Sequence, residues 1–385
     1  MGSPTTYVAV DPEALAHNVR QVLAALTGGA RLMAVVKSNA YGHGLVQAAR
    51  VFLDAGATWL GVSSTAEGLR LREAGIEAPV LVFMPALREE CEGLVAAQLT
   101  ATVTQLDHVA WLHEAAQASG TMARAHIYVD TGLGRMPSEH SALDLLDAAE
   151  GFHDVTVGGI YTHFGPPGSG MLTEGLDFFK PGVSLGMFVK LAGDLREAEG
   201  RRDLLIHAAA SALVLEQPDS HLDLVRVGTL LYGQYPAHVR ERALQLRRTF
   251  ELRSHVVHIG EVGVGGKVGY GGEFRCRRES LIATVPVGYA HGLGVLPLSL
   301  AGRAATRGKG ILRRLGGGLG RPWHAPMVRI GGQDAPIIGR IAMDHCSVDV
   351  TDLPEVAVGD RVVVPLRRVT TSPDLPRIYE PFEEE

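Results

Sequence analysis

Eight short apolar runs, separated by longer stretches of helical pattern, govern what this chain can fold into. The runs are RLMAVVKS (31–38), TWLGVSS (58–64), PVLVFM (79–84), TATVTQ (100–105), RAHIYVDT (124–131), VGGIYTHF (157–164), LLIHAAAS (204–211) and LVRVGTLLYG (224–233). Between them, segments such as TAEGLRLREAGI and HVAWLHEAAQASG place apolar residues three and four apart and carry a glycine near the stop, which marks amphipathic helices. Strands that are almost continuously apolar are covered on both faces, and when helices separate them they pair in parallel. Eight such units predict an α/β fold, a (β/α)8 barrel of TIM type.

After about residue 240 the texture changes. FELRSHVVHIGEV, SLIATVPVGYA, APMVRI, APIIGRIAMDHCSVDV and DRVVVPL read as strands between glycine-rich turns, with little helical periodicity. A C-terminal all-β domain is expected over 239–385, following a barrel over 1–238. Residues 301–325 (AGRAATRGKGILRRLGGGLGRPWHA) interrupt it with Gly and Arg and read as a surface insertion. Neither RLGGGLGR nor GVGGKVGYGG (263–272) is followed by the Lys-Ser or Lys-Thr pair of a phosphate loop. Both are read as plain loops.

The net charge of −6 over 385 residues offers no basic field for nucleic acid or anionic lipid. A small molecule is the expected partner. Cys91, Cys276 and Cys346 are too scattered for a disulfide framework and lack metal-ligand spacing, so no metal is expected and a reducing compartment fits. The N-terminal MGSPTTYVAVDPEAL lacks a basic segment followed by an apolar one, and no run of about 18 apolar residues occurs. A cytoplasmic protein with no membrane partner is expected.

In a TIM-type barrel, side chains at the carboxyl ends of the strands face the active site. Lys37 ends the first run, Arg135 follows the fifth, Tyr161 and His163 close the sixth, Ser211 closes the seventh, and Arg226, Gly228 and Thr229 lie on the eighth. A lysine crowded by cations and partly desolvated has a lowered pKa, which supplies the neutral amine needed for a Schiff base. Taken alone, Lys37 reads equally well as a snorkelling surface lysine.

The stretch AVVKSNAYGHG (34–44) resembles the pyridoxal-phosphate lysine signature of the alanine racemase family. VDTGLGR (129–135), GGIYTHF (158–164), DLVRVGTLLYG (223–233), KVGYGGEF (267–274), VPVGYAHG (285–292) and APIIGRIAMDHCSVDV (335–350) follow that family in order. The resemblance covers most of residues 5–365, including the change from barrel to β domain.

The resemblance implies a pyridoxal 5'-phosphate enzyme that interconverts L- and D-alanine, a peptidoglycan precursor. Lys37 would hold the cofactor and act as one of two catalytic bases. Tyr270 would be the second, supplied by the partner subunit, so that a homodimer shares its sites. Racemisation removes a proton from one face of a planar carbon and returns one to the other, which two opposed bases do readily. Tyrosine is a poor base near neutral pH, and the resemblance places His163 beside it as the supporting group. Arg226 would face the pyridine nitrogen, although it also reads as a structural partner of Asp223 or another carboxylate. Tyr41, Ser211, Gly228 and the backbone at Thr229 would bind phosphate. Arg135 and the N–H of Met343, with Asp344 beside it, would meet the substrate carboxylate. Tyr289 would line the entrance, and His207 would orient its neighbours.

Three departures from the family pattern stand out. Tyr128 occupies a position where many members carry a lysine, often carbamylated; a phenol can hydrogen-bond Arg135 but supplies no charge. THFGPPGSG lacks the acidic residues that usually follow THF, so the entrance near 165–170 is expected to differ in shape or charge. The chain also ends early, at RIYEPFEEE. Tyr379 either replaces the family's phosphate-contacting tyrosine or belongs to its terminal V-P-R-I-Y, in which case that tyrosine is missing. These departures leave room for a racemase of a larger amino acid and for a degenerate homologue that binds cofactor without turnover. A decarboxylase, aldolase or dehydratase on the same barrel fits less well, because VGYGG and IAMDH are present and a His/Cys metal pair is not apparent.

Overall fold

The computed structural model describes residues 4–164, 185–198, 203–237, 239, 242–295 and 326–382. The expected insertion at 301–325 and the entrance segment at 165–170 lie outside them. The chain forms two compact units, one of residues 11–249 and one that joins residues 1–10 to 250–385.

The first strand, β1 (Tyr7–Val10), belongs to the second unit. Unit 11–249 contains β2 (Arg31–Val35), β3 (Trp59–Val62), β4 (Val80–Val82), β5 (Thr100–Val103), β6 (Ala123–Tyr128), β7 (Val155–Tyr161), β8 (Leu205–His207) and β9 (Leu224–Val227). Each lies in or overlaps one of the eight apolar runs. They form a parallel sheet in the order β8-β7-β6-β5-β4-β3-β2-β9. Its two ends nearly close, since the Asp223 N–H donates to the Ile206 carbonyl at 3.1 Å and the Arg226 N–H to the Ala209 carbonyl at 2.9 Å. Helices cover the outside, and sequence signals set their ends. Asp11 caps the helix Pro12–Ala25 by accepting the Ala14 N–H, and Gly120, in the left-handed region, ends Leu106–Ser119. Met33, Leu81, Tyr128, Tyr161 and Leu224 pack together as a buried cluster. Burying each of the leucine and methionine side chains contributes about 1.5–3 kcal/mol.

The second unit contains β10 (Phe250–His255), β11 (His258–Val262), β12 (Lys267–Val268), β13 (Phe274–Arg275), β14 (Ser280–Val285), β15 (Met327–Ile330), β16 (Gln333–Ile338), β17 (Cys346–Asp349), β18 (Arg361–Val364) and β19 (Arg377–Tyr379). A nine-stranded, mostly antiparallel sheet runs β11-β14-β17-β16-β15-β18-β10-β1-β19. This places the first ten residues differently from a single cut at residue 238. The YVAV of β1 is buried along its whole length and finds its ladder between β10, antiparallel, and β19, parallel. Buried Arg253 on β10 binds Glu251 at 2.7 Å, also pairs with Glu380, and lies over the Phe382 ring, which fastens the segment after β19. Tyr379 therefore sits in a strand of this sheet. No helix of the described residues is long and apolar enough to cross a membrane.

Candidate active site

Past the end of β2, the backbone at Lys37 takes an uncommon path. Ser38, Asn39, Ala40 and Tyr41 have φ of 55°, 55°, 53° and 53°, which makes one turn of left-handed helix from four residues that are not glycine. Such geometry costs about 1–2 kcal/mol per residue, so other contacts must offset it. Within the turn, the Ala40 N–H donates to the Val36 carbonyl at 2.8 Å and the Gly42 N–H to Ser38 at 3.1 Å. Asn39 Oδ1 accepts the Leu45 N–H at 2.9 Å, which starts the next helix. From outside the turn, Glu67 accepts the Asn39 N–H at 3.2 Å on one oxygen and the Ser63 N–H at 3.0 Å on the other. Glu67 is itself fixed by Ser64, which caps the helix Thr65–Glu73. The turn thus holds Lys37 at the mouth of the barrel. Burial lowers the pKa of its amine, the Arg135 charge lowers it further, and Glu67 opposes both.

A cavity of about 310 Å³ opens there, and Lys37, Tyr41, Arg135, His163, Ser211, Arg226, Gly228 and Thr229 all line it. At one end the Gly228 N–H donates to Ser211 Oγ at 3.3 Å, and the Tyr41 ring rests on Tyr232 with centroids 4.7 Å apart. Gly228 must lack a side chain: a Cβ would clash with the Tyr41 hydroxyl and stand 2.9 Å from its Cζ. Gly228→Ala is expected to push Tyr41 aside and to weaken about tenfold the binding of the pyridoxal phosphate that the sequence resemblance implies, which is the cost of a methyl group in a packed site. Cofactor titration of the apo-protein measures this, with circular dichroism as the control for folding.

The other end is built around Arg226, a buried cation with no carboxylate on it among the described residues. Its Nη2 donates to the Thr162 carbonyl at 2.6 Å and to Ala208 at 2.9 Å, and its Nη1 to His207 Nδ1 at 2.9 Å. Asp223, its alternative partner from sequence, instead accepts from Arg196 and from the Ile206 N–H. Because guanidinium only donates, His207 Nδ1 must accept. The His207 proton is therefore on Nε2, which faces His126 Nδ1 at 3.0 Å and donates to it. Burial, with Arg226 adding to it, holds His207 well below the ordinary histidine range and lowers His126 to about 3. Both stay neutral, as this chain of hydrogen bonds requires. Burial lowers Arg226 itself to about 10, so it remains a cation at neutral pH.

His163 is neutral too. Burial and the charges of Arg226, Arg135 and Lys37 keep its pKa well below the ordinary value. Arg135 hangs from a loop shaped by Asp130, whose Oδ1 accepts the N–H groups of Gly132 at 2.9 Å and Gly134 at 3.1 Å. No hydrogen bond joins Tyr128 to Arg135 among the described residues.

Tyr270, Met343 and Asp344 lie in the second unit. Tyr270 stands in the tight turn between β12 and β13 and is 74% exposed. This turn approaches the loop after β16 closely, for a Cβ on Gly269 would stand 2.8 Å from the Arg340 nitrogen. That loop carries Met343, 60% exposed, and Asp344, which accepts from His345 at 2.8 Å. The Tyr289 N–H donates to the Ala342 carbonyl at 3.0 Å and the Ala290 N–H to Met343 at 2.9 Å. Four residues singled out from sequence thus share adjoining loops. Among the described residues no cluster of His, Cys, Asp or Glu is arranged to hold a metal.

Sequence reasoning missed Glu67 as a support for the lysine turn, although Ser64 and Glu67 carry the spacing of a helix cap. It also missed the apolar wall of Phe83, Met84, Met136 and Phe164.

Models of known families match this chain twice. The N-terminal domain of alanine racemase matches residues 10–236 and its C-terminal domain matches 249–374. Alanine racemase 1 of Caldanaerobacter subterraneus subsp. tengcongensis is 33% identical over 366 residues, covering 94% of this chain and 86% of the relative. The alanine racemase of Methanococcus maripaludis is 32% identical and covers 94% of this chain and 90% of its own. Among solved structures, the alanine racemase of Clostridium difficile 630 superposes with a TM-score of 0.83 at 25% identity, over 99% of this chain and 97% of the other. That of Bacillus anthracis with bound L-Ala-P gives 0.80 at 28% identity, over 99% and 96%. With both domain models matched in order along almost its whole length, the chain belongs to the alanine racemase family.

Proposed function

We propose that this protein is a pyridoxal-phosphate-dependent alanine racemase, acting in the cytoplasm as a homodimer with shared active sites and supplying D-alanine for peptidoglycan precursors. The observation that carries the reading is an amine of lowered pKa, on Lys37, in a cavity that has a small-residue cradle at one end and a buried guanidinium at the other.

The residues fit the cofactor. The Gly228–Ser211–Tyr41 cradle suits a phosphate, because only glycine leaves room for the tyrosine hydroxyl beside the backbone. Arg226 uses three of its donor hydrogens on protein acceptors, and its Nε–H has no acceptor among the described residues. That suits a ring nitrogen that accepts a hydrogen bond. Bound there, pyridoxal phosphate draws electrons from the substrate's α-carbon and makes its hydrogen acidic.

This chain's own residues do the rest. Lys37 Nζ moves a proton on one face of the α-carbon, and the partner subunit's Tyr270 moves one on the other. Arg135 holds the substrate carboxylate by charge-assisted hydrogen bonds. The exposed Tyr270, Tyr289 and Met343 support the dimer, since two tyrosines and a methionine on adjoining loops suit burial by a second copy. The test is proton exchange in deuterium oxide with each alanine enantiomer, read by mass spectrometry and chiral chromatography. Deuterium at the α-carbon with inversion from both enantiomers is expected. No exchange with any amino acid, in protein that holds its cofactor, would instead favour a homologue that binds without turnover.

A further inference from the structure

Tyr128 ends β6 at the floor of the cavity. It is 2% exposed, and its hydroxyl oxygen is buried with no hydrogen-bond partner among the described residues. The neighbouring Tyr161, whose ring centroid is 5.2 Å away, is satisfied by Thr102 Oγ1 at 2.8 Å. A buried hydroxyl left without a partner destabilises a fold and persists where a ligand supplies the partner. Burial, and then Asp130, push the Tyr128 hydroxyl up to about 12 against the pull of Arg135 and Arg226, so it stays a donor at neutral pH.

The charge of the cavity indicates what it donates to. Two guanidiniums, those of Arg135 and Arg226, and the amine of Lys37 line the wall, and the only carboxylate among the described lining residues is that of exposed Glu216. An anionic oxygen is the acceptor the site lacks. We propose that Tyr128 is a substrate-binding residue whose hydroxyl donates to the carboxylate of the bound amino acid, sharing that group with Arg135. This rests on the racemase reading. It gives a neutral donor a part in specificity, since the hydroxyl rewards a carboxylate without adding charge.

The test is Tyr128→Phe, which removes one oxygen and little volume. Melting of the apo-protein should occur at the same or a higher temperature, because the unpartnered group is gone. For the cofactor-loaded protein, KM for alanine should rise about tenfold with a smaller change in kcat. Binding of propionate, a carboxylate without the amine, should weaken by the same factor when followed through the cofactor's absorbance. Ethylamine, which lacks the carboxylate, should bind both proteins alike. A lower melting temperature with propionate and ethylamine weakened together would mean a structural tyrosine and would overturn the proposal. So would unchanged propionate binding, or a difference between the proteins that vanishes when chloride is removed, since the partner would then be a small ion. The propionate titration needs no turnover. If the wild-type protein racemises nothing and Tyr128→Phe still loses propionate, the racemase reading fails and the role of Tyr128 stands.

Discussion

Lys37→Ala should lower racemisation of alanine by about 10⁴-fold or more, because one substitution removes both the covalent anchor and a proton-transferring group. The absorbance band of cofactor bound covalently to protein should vanish with it, leaving the spectrum of the free aldehyde form. The wild-type apo-protein offers a companion measurement. Burial and the Arg135 charge lower the Lys37 pKa, so the neutral amine becomes available at a lower pH than in ordinary lysine. The rate of covalent capture of pyridoxal phosphate should therefore climb with pH and level off below the usual lysine range. A variant that kept one hundredth of the activity would show that another amine does the work.

Tyr270→Phe should cost about 10²–10⁴-fold in racemisation, the range for loss of a positioned acid or base. Folding should be unaffected, because the side chain is 74% exposed. The α-proton of one enantiomer should still exchange with solvent, since Lys37 serves that face unaided. The two inactive variants can also be combined. In a mixed dimer of Lys37→Ala and Tyr270→Phe, one site loses both groups and the other is intact if each site draws Tyr270 from the partner subunit. Random reassociation would make half the dimers mixed and restore about a quarter of the sites. No recovery after unfolding and refolding the variants together would place both bases in one chain, and the shared site would have to be abandoned.

The barrel was legible because its eight strands, covered on both faces, read as short apolar runs alternating with longer stretches of helical periodicity. The β domain was legible as a loss of helical periodicity. The position of β1 was not. Four apolar residues state that they are buried, but not beside what, and the ladders of β1 lie with residues 250–253 and 377–379. The lysine turn was hidden for another reason. Of Ser38, Asn39, Ala40 and Tyr41, only asparagine tolerates a left-handed backbone well, so local preference points away from the observed geometry. Local rules tend to fail at sites where structure elsewhere sustains strain. At the site, the motif residues of the barrel converge on one cavity, as chain order at strand ends suggests. The His126–His207 bond, which sets the tautomer beneath Arg226, joins side chains 81 residues apart and carries no local signal.

The placement of β1 has a consequence for the order in which this protein can be assembled. The strand is made before the barrel, yet its neighbours in the sheet, β10 and β19, both follow the barrel in the chain. At ordinary rates of translation, tens of seconds separate its appearance from theirs. The residues of the barrel are complete before either neighbour is made, so the barrel can fold while YVAV waits as an unpaired apolar strand. Closure of the second unit then waits for β19. Deleting β19 would leave β1 with an open edge, a surface on which newly made chains can pair with each other.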